Sequence, residues 1–392
     1  MEKRKRIGSQ RTLRKTALVI EGNNILGRNI INCLEAKGNW DIIIVSNTPL
    51  NYWQYTSRCE YIQMDLNKPD AIKMQQEKLQ KVTHVFFGSY NQKQALTDKP
   101  EFNLQLFENL VLGIEKIAPL FEHITFIQKD KAYDLHFGRI KQIVSNKEYQ
   151  YFSPSFFYNF YSLQEDFLRK QSIGKKWSWT SLRPNILIGS AIDNPTNIAT
   201  QIAVYATLCR ELNIPMSFPG NIRNYETTVH VTDIELLAKS MEYVSLEDSC
   251  KGEIFNITNG DSLRWKELWV KICEYFGVAV GEPHDFSLAV YMKDKNTLWK
   301  ETCEKHQLTN DNITRILQWS YSDFIFSDVY DIFFDSGKLR KLGFKEIEPD
   351  SFESFKRMFD KLKANHIIPH YLLNEYIVSY SKNHQERVIQ IT

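Results

Sequence analysis

The sequence predicts an α/β chain, a doubly wound parallel sheet with a smaller, mostly helical C-terminal part, and three observations predict it. Short apolar runs, partly β-branched, recur through the first half, as strands buried on both faces require. Amphipathic helical segments alternate with those runs, which implies a parallel sheet covered by helices on both sides. The first run leads through a glycine-bearing turn into a helix, an arrangement that offers backbone N–H groups and a positive dipole end to a phosphate. Together these features specify a Rossmann-type sheet.

The elements follow in order. Thr16–Ile20 is the first strand, Glu21–Gly27 the turn, and Ile30, Ile31, Leu34 and Ala36 supply the apolar face of the helix after it. Asp41–Val45 is the second strand, ending at Ser46, Asn47 and Thr48. Tyr61–Asp65 is the third and Val82–Phe87 the fourth. A long helix spans about Glu101 to Leu120, and the strand His123–Gln128 comes next. Trp177–Leu182 supplies a further strand before Arg183 and Pro184. From about residue 190 the texture changes to longer helices at Asn197–Leu212, Trp265–Phe276 and Phe352–Ala364. The organisation expected is a basic tail over 1–15, a nucleotide-binding domain over 16–190, a substrate-binding cap over 191–369 partly interwoven with the sheet, and an appendage over 370–392.

Composition excludes several classes. The 392 residues hold 49 Lys and Arg against 47 Asp and Glu, a formal charge of +2, without the cationic surplus that phosphate-backbone recognition needs. Nucleic acid is therefore not an expected partner. No apolar run approaches the roughly 20 residues that span a bilayer. Six cysteines (Cys33, Cys59, Cys209, Cys250, Cys273 and Cys303) lie scattered without metal-like spacing, which favours a reduced, cytoplasmic setting. His84, His123 and His230 stand singly in strand-like runs, so no metal site is expected.

The candidate chemistry starts at the first turn. Gly22 and Gly27 are its only glycines, and Asn24 stands three residues before Gly27, where a second glycine would suit the approach of a phosphate. Asn tolerates left-handed backbone angles better than most residues, which keeps the turn feasible. Gly22, Asn23, Asn24, Ile25, Leu26 and Gly27 are thus the candidate pyrophosphate contacts. A carboxylate after the second strand would accept from a ribose 2′-hydroxyl and an arginine would favour a 2′-phosphate, yet Ser46, Asn47 and Thr48 are neither. Asp65, after the third strand, either meets the adenine edge or caps its own strand end.

At this point the sequence resembles the progesterone 5β-reductase/iridoid synthase (PRISE) family of atypical extended short-chain dehydrogenases/reductases. The similarity is carried by Tyr61–Asp65, Val82–Phe86, Asn159–Asp166, Trp179–Pro184 and Phe255–Asp261, and then by Trp265–Trp269, Phe276–Gly277 and Phe334–Ser336. These blocks run from about residue 16 to Pro369 in the family's order. The resemblance implies reduction of an activated C=C bond in a small carbonyl compound, an enone or enal, with NADPH; the residues themselves leave NADH open. It implies a catalytic tyrosine at Tyr161, in the Asn-Phe-Tyr segment, and a lysine at Lys131, in Lys131-Ala132-Tyr133. The pairing is chemically sensible, because a phenol O–H and a nearby ammonium stabilise the enolate oxygen that forms. The resemblance also implies that Pro184, Asn185 and Ile186 lie beside the nicotinamide, and a homodimer is common among relatives.

Departures from the family pattern fall at the cofactor. Glu21 and Asn24 stand at the first and second glycine positions, and the family's arginine pair is replaced around Ser46-Asn47-Thr48. Glu21 sets a carboxylate near the pyrophosphate unless it turns away. Gln128-Lys129-Asp130 and Arg183-Pro184-Asn185-Ile186 also differ from the family's segments. Two alternatives therefore stand beside the reductase. One is a catalytically inactive Rossmann-fold binding or regulatory protein with an eroded cofactor site. The other is a nucleotide-sugar epimerase or dehydratase, ranked last because Glu165 stands where a Tyr-x-x-x-Lys pair would need lysine.

Overall fold

The computed structural model describes residues 14–49, 58–68, 70–88, 100–128, 143–144, 160–189, 196–313, 317–327, 331, 333–346 and 349–371. The main sheet has seven strands, numbered here along the chain: β1 Lys15–Ile20, β2 Trp40–Ser46, β3 Cys59–Gln63, β4 His84–Phe87, β5 His123–Ile127, β6 Ser178–Pro184 and β7 Glu253–Ile257. They lie parallel in the order β7-β6-β5-β4-β1-β2-β3. The order reverses at β1, between β2 and β4, which is where a doubly wound sheet opens its crevice. Leu18 lies opposite Ile43 on one side and Val85 on the other, and all three side chains are buried, as strands covered on both faces must be.

By packing, the chain forms two compact units, the first comprising Met1–Ile127, Tyr158–Ser181 and Met241–Glu253. In it, helix α1 (Ile25–Lys37) buries Ile30, Ile31 and Leu34, capped at its start by Asn24 and stopped by Gly38 at φ 73°. Helix α2 (Pro100–Ile117) turns Phe107, Leu110, Val111 and Ile114 inward, and Phe107 meets Phe167 of α3 (Phe160–Gln171) edge to face. The predicted third strand shifts: β3 stops at Gln63, because the Asp65 carboxylate turns back to accept from the Asn67 backbone and side-chain amides.

The second unit comprises Gln128–Phe157, Leu182–Ser240 and Ile254–Thr392. Its centre is α4 (Ile198–Leu212), in which twelve consecutive residues from Ile198 to Cys209 are buried. Against it pack α6 (Trp265–Phe276) and α7 (Ser351–Ala364), while α5 (Ile234–Leu246) begins where the Asp233 carboxylate accepts from the Glu235 and Leu236 amides. Phe218, Trp265, Trp269 and Phe326 form an aromatic cluster of mostly edge-to-face pairs, and the Trp269 indole donates to the Met216 carbonyl at 3.0 Å, so its one polar atom is satisfied. Among the described residues, four two-stranded sheets complement the helices, including Ile186–Ile188 with Val231–Asp233 and Met216–Pro219 with Val280–His284.

Candidate functional site

The turn after β1 is built around a backbone exception. Glu21 has φ 55°, a left-handed conformation that favours glycine, and its N–H donates to the Val45 carbonyl at 2.7 Å. The chain then doubles back, with the Asn24 N–H reaching the Glu21 carbonyl at 3.1 Å. A Cβ at Gly27 would lie 2.4 Å from that carbonyl oxygen and 2.6 Å from the Gly22 Cα, so glycine is obligatory there. A Cβ at Gly22 would meet Ile44 Cγ2 at 2.3 Å. The two glycines let turn, helix and strand pack this closely.

Asn24 has a function of its own in the turn. Its side-chain oxygen accepts from the Gly27 N–H at 2.7 Å as the cap of α1. The first-turn amides of Ile25 and Leu26 have no intrahelical acceptor by the geometry of a helix start, and that turn holds no acidic residue. The turn therefore fits an anion at its open end, on backbone donors alone.

The carboxylate at position 21 turns away from this helix start. It accepts from Ser46 Oγ at 3.1 Å, at the end of β2, and from the Asn47 N–H. Burial pushes its pKa above the usual carboxylate value, and those two donors offset part of the rise. Asn23 clamps the neighbouring strand end, its amide NH₂ donating to Thr48 Oγ1 at 2.7 Å and to the Thr48 carbonyl at 3.1 Å. Ser46 is fully buried, whereas Asn47 and Thr48 are exposed. Tyr61 donates to the Thr48 carbonyl at 2.9 Å, and its phenol pKa is raised by burial and by the Glu21 charge. The residues named from the sequence at 21–27 and 46–48 thus meet in one place. Asp65 is held by Asn67.

Tyr161 lies in the first turn of α3 with a side chain only 5% exposed. Lys131 falls outside the described residues. In the second unit, Pro184 ends β6, the Asn185 N–H donates to Thr232 Oγ1 at 3.1 Å, and Ile186 pairs with Val231.

Three features escaped the sequence reading. Gly88, just past β4, admits Leu26: a Cβ there would stand 2.9 Å from Leu26 Cδ1. Its signal was a glycine at a strand's C-terminal end. Gln164, one turn along α3 from Tyr161, is buried with its Oε1 unbonded among the described residues. Its signal was the three-residue spacing that puts both on one helix face. Buried Arg183 donates from Nε to Gln128 Oε1 at 3.0 Å, and only the fold could bring those two together. The second unit also holds a cavity of about 450 Å³ lined by Tyr205, Ser217, His284, Phe286 and Tyr291 among others, and none of the residues named from the sequence lines it. Among the described residues no cluster of His, Cys, Asp and Glu is arranged to hold a metal ion, and no helix is long and apolar enough to cross a membrane.

A family model described as a PRISE-like Rossmann-fold domain matches residues 59–369. A short chain dehydrogenase, gsfE, of Penicillium aethiopicum is 31% identical, over 91% of this chain and 99% of its own length. A 3-oxo-Delta(4,5)-steroid 5-beta-reductase of Arabidopsis thaliana is 27% identical, over 90% of this chain and 93% of its own. Among solved structures, a GDP-L-fucose synthetase from Naegleria fowleri superposes with a TM-score of 0.63, covering 91% of this chain and 95% of that one. At 10% identity that likeness shows the fold alone.

Proposed function

The chain belongs to the PRISE-like Rossmann-fold domain family, and on that premise we propose that it is an oxidoreductase that uses a reduced nicotinamide dinucleotide to saturate an activated C=C bond in a small enone or enal. The bound dinucleotide would supply a hydride equivalent to the β-carbon. Tyr161 donates its phenol O–H to the carbonyl oxygen, which gathers charge as the enolate develops, and Lys131 provides a cation beside it. Gly22 to Gly27 receive the pyrophosphate on the start of α1, and Ser46, Asn47 and Thr48 border the adenosine ribose. Asp65 flanks the adenine, and Pro184, Asn185 and Ile186 flank the nicotinamide. The family's preference for NADPH is the starting expectation for the cofactor.

The observation that carries this reading is Tyr161, buried in the first turn of α3, in a chain whose first βα turn leads into a helix start with no acidic residue in its first turn. Tyr161→Phe is expected to lower turnover of an enal by about 10²–10³-fold while dinucleotide affinity holds. Steady-state kinetics and a binding titration on the same preparation check this. Unchanged turnover in the variant overturns Tyr161's role.

A second reading is favoured by one observation, Glu21 in the left-handed position where the family has glycine. Under it the chain is an inactive binding or regulatory protein. Absence of binding by NADH and NADPH alike would establish that reading, and Tyr161-dependent turnover would exclude it.

A further inference from the structure

Resting on the dinucleotide reading above, we propose that Glu21 and Asn23 form an acceptor pair for the adenosine ribose diol and make the protein select NADH, with its free 2′-hydroxyl, over NADPH, with its 2′-phosphate. The first line of argument is position. β1 and β2 are neighbours, with Ile20 opposite Val45, so the turn after one abuts the end of the other. In a doubly wound sheet the ribose lies there, and a carboxylate from the end of the second strand reads its 2′-hydroxyl. Ser46, Asn47 and Thr48 bring no carboxylate. Glu21 delivers one to the same point from the strand beside it, because its left-handed backbone aims the side chain at Ser46 Oγ, 3.1 Å away.

The second line is an unpaired acceptor. Asn23 faces the Thr48 carbonyl, which only an NH₂ group can meet, so the orientation of its amide is fixed. Its Oδ1 is buried and has no hydrogen-bond partner among the described residues. A buried acceptor without a donor is costly, and a ligand hydroxyl would satisfy it. The turn thus offers two acceptors, one of them a carboxylate. A ribose diol brings two donors to them. A phosphomonoester brings about 1.5–2 negative charges and further acceptors.

The third line is charge. The stretch from Asn47 to Ser57 contains no Lys or Arg, and Arg58, the next cation, donates to the Gly38 carbonyl. The groups that bond the Glu21 carboxylate are the Ser46 hydroxyl and the Asn47 amide, neither of them cationic. Burial raises the Glu21 pKa, the direction of a carboxylate short of donors, and hydroxyl donors would lower it again.

Calorimetric titration of the full chain with NADH and NADPH separately tests the proposal, with 5′-AMP and adenosine 2′,5′-bisphosphate as fragments that isolate the ribose. NADH is expected to bind at least about tenfold more tightly than NADPH, and 5′-AMP more tightly than the bisphosphate. Glu21→Gln should bring the NADH:NADPH ratio towards parity, chiefly by tightening NADPH. A thermal melt of that variant confirms that it is folded, and the fragment comparison on the unaltered chain stands without it. Equal affinities, or tighter NADPH, overturn the selectivity and leave the reductase reading intact. Binding of neither dinucleotide removes both.

Discussion

Two titratable clusters lie in the one parallel sheet of the first unit, a part-buried one at the ends of β1 and β2 and a buried one across β4 and β5. At the first, Glu21 has a carboxyl pKa raised by burial. At the second, His84 and His123 lie opposite each other in register with ring centroids 6.4 Å apart. Burial first, then the positive charge of Lys15, pushes His84 down to about 4, and burial pushes His123 lower than its usual range as well. In both places the low-dielectric interior favours the neutral form. The surroundings differ. The histidines sit in regular strand, with the Trp40 ring edge on His84 at 5.0 Å, and His84 nitrogens against Thr83 Oγ1 and the Ser245 carbonyl. Glu21 sits in left-handed backbone beside an unbonded acceptor at a strand's C-terminal end. Both His123 ring nitrogens are buried and unbonded among the described residues too, so a perturbed pKa and unsatisfied polar atoms mark burial in both regions, and the left-handed backbone at a strand's C-terminal end is what sets the Glu21 site apart.

The largest effect that would break this contrast is expected from Gly27→Ala. The added methyl would overlap backbone atoms at 2.4 and 2.6 Å, so the turn must open rather than a side chain step aside. A loss of about 3 kcal/mol is expected, with dinucleotide binding abolished. A melt and a titration check it, and wild-type values in both would show the turn to be far more pliant than its packing implies.

Acid is the next test, and it bears first on the histidine cluster. His84 titrates near 6.5 when unfolded and about 4 when folded, so below pH 6.5 the unfolded chain binds the extra proton. Its contribution to stability is full above that pH and is lost as pH falls from 6.5 through about 4. The loss is on the order of 3 kcal/mol. His123 shifts in the same direction, but a proton on one ring opposes a proton on the other, so their contributions do not add. Denaturant midpoints measured at intervals from pH 7 to pH 4 should fall across that window. A flat profile would mean the rings reach solvent without unfolding.

How far the sequence discloses each region follows the same division. The strands are legible because alternation of apolar runs with amphipathic helices reports burial directly, and Trp265–Phe276 coincides with its helix to the residue. The lower edge of β3 is not, since an Asp65 side chain bonding its own turn competes with extension and leaves no mark on hydropathy. At the turn, Glu21 and Asn24 are visible as departures from glycine, but their consequences are not. Which way the Glu21 carboxylate points depends on a backbone angle, and the Asn24 cap depends on where the helix begins. Gln128 and Arg183, 55 positions apart, meet only once the chain between them folds.

The smallest expected effect belongs to Glu21→Gly, and its smallness is informative. Glycine at φ 55° removes left-handed strain of roughly 1–2 kcal/mol and removes a buried carboxylate. Against that, Ser46 Oγ, at 0% exposure, loses its acceptor, which costs about 1–3 kcal/mol. The two oppose each other, so the midpoint of unfolding should change by less than about 1 kcal/mol. The acid profile should fall somewhat more steeply than in the unaltered chain, because a carboxyl whose pKa rises on folding adds stability as pH falls and the variant lacks it, while the histidine share is untouched. Thermal and denaturant melts at pH 7 and pH 5 check both statements. A large loss at pH 7 would make Glu21 a structural residue that holds the end of β2, and the carboxylate would then owe its place to the fold rather than to a ligand.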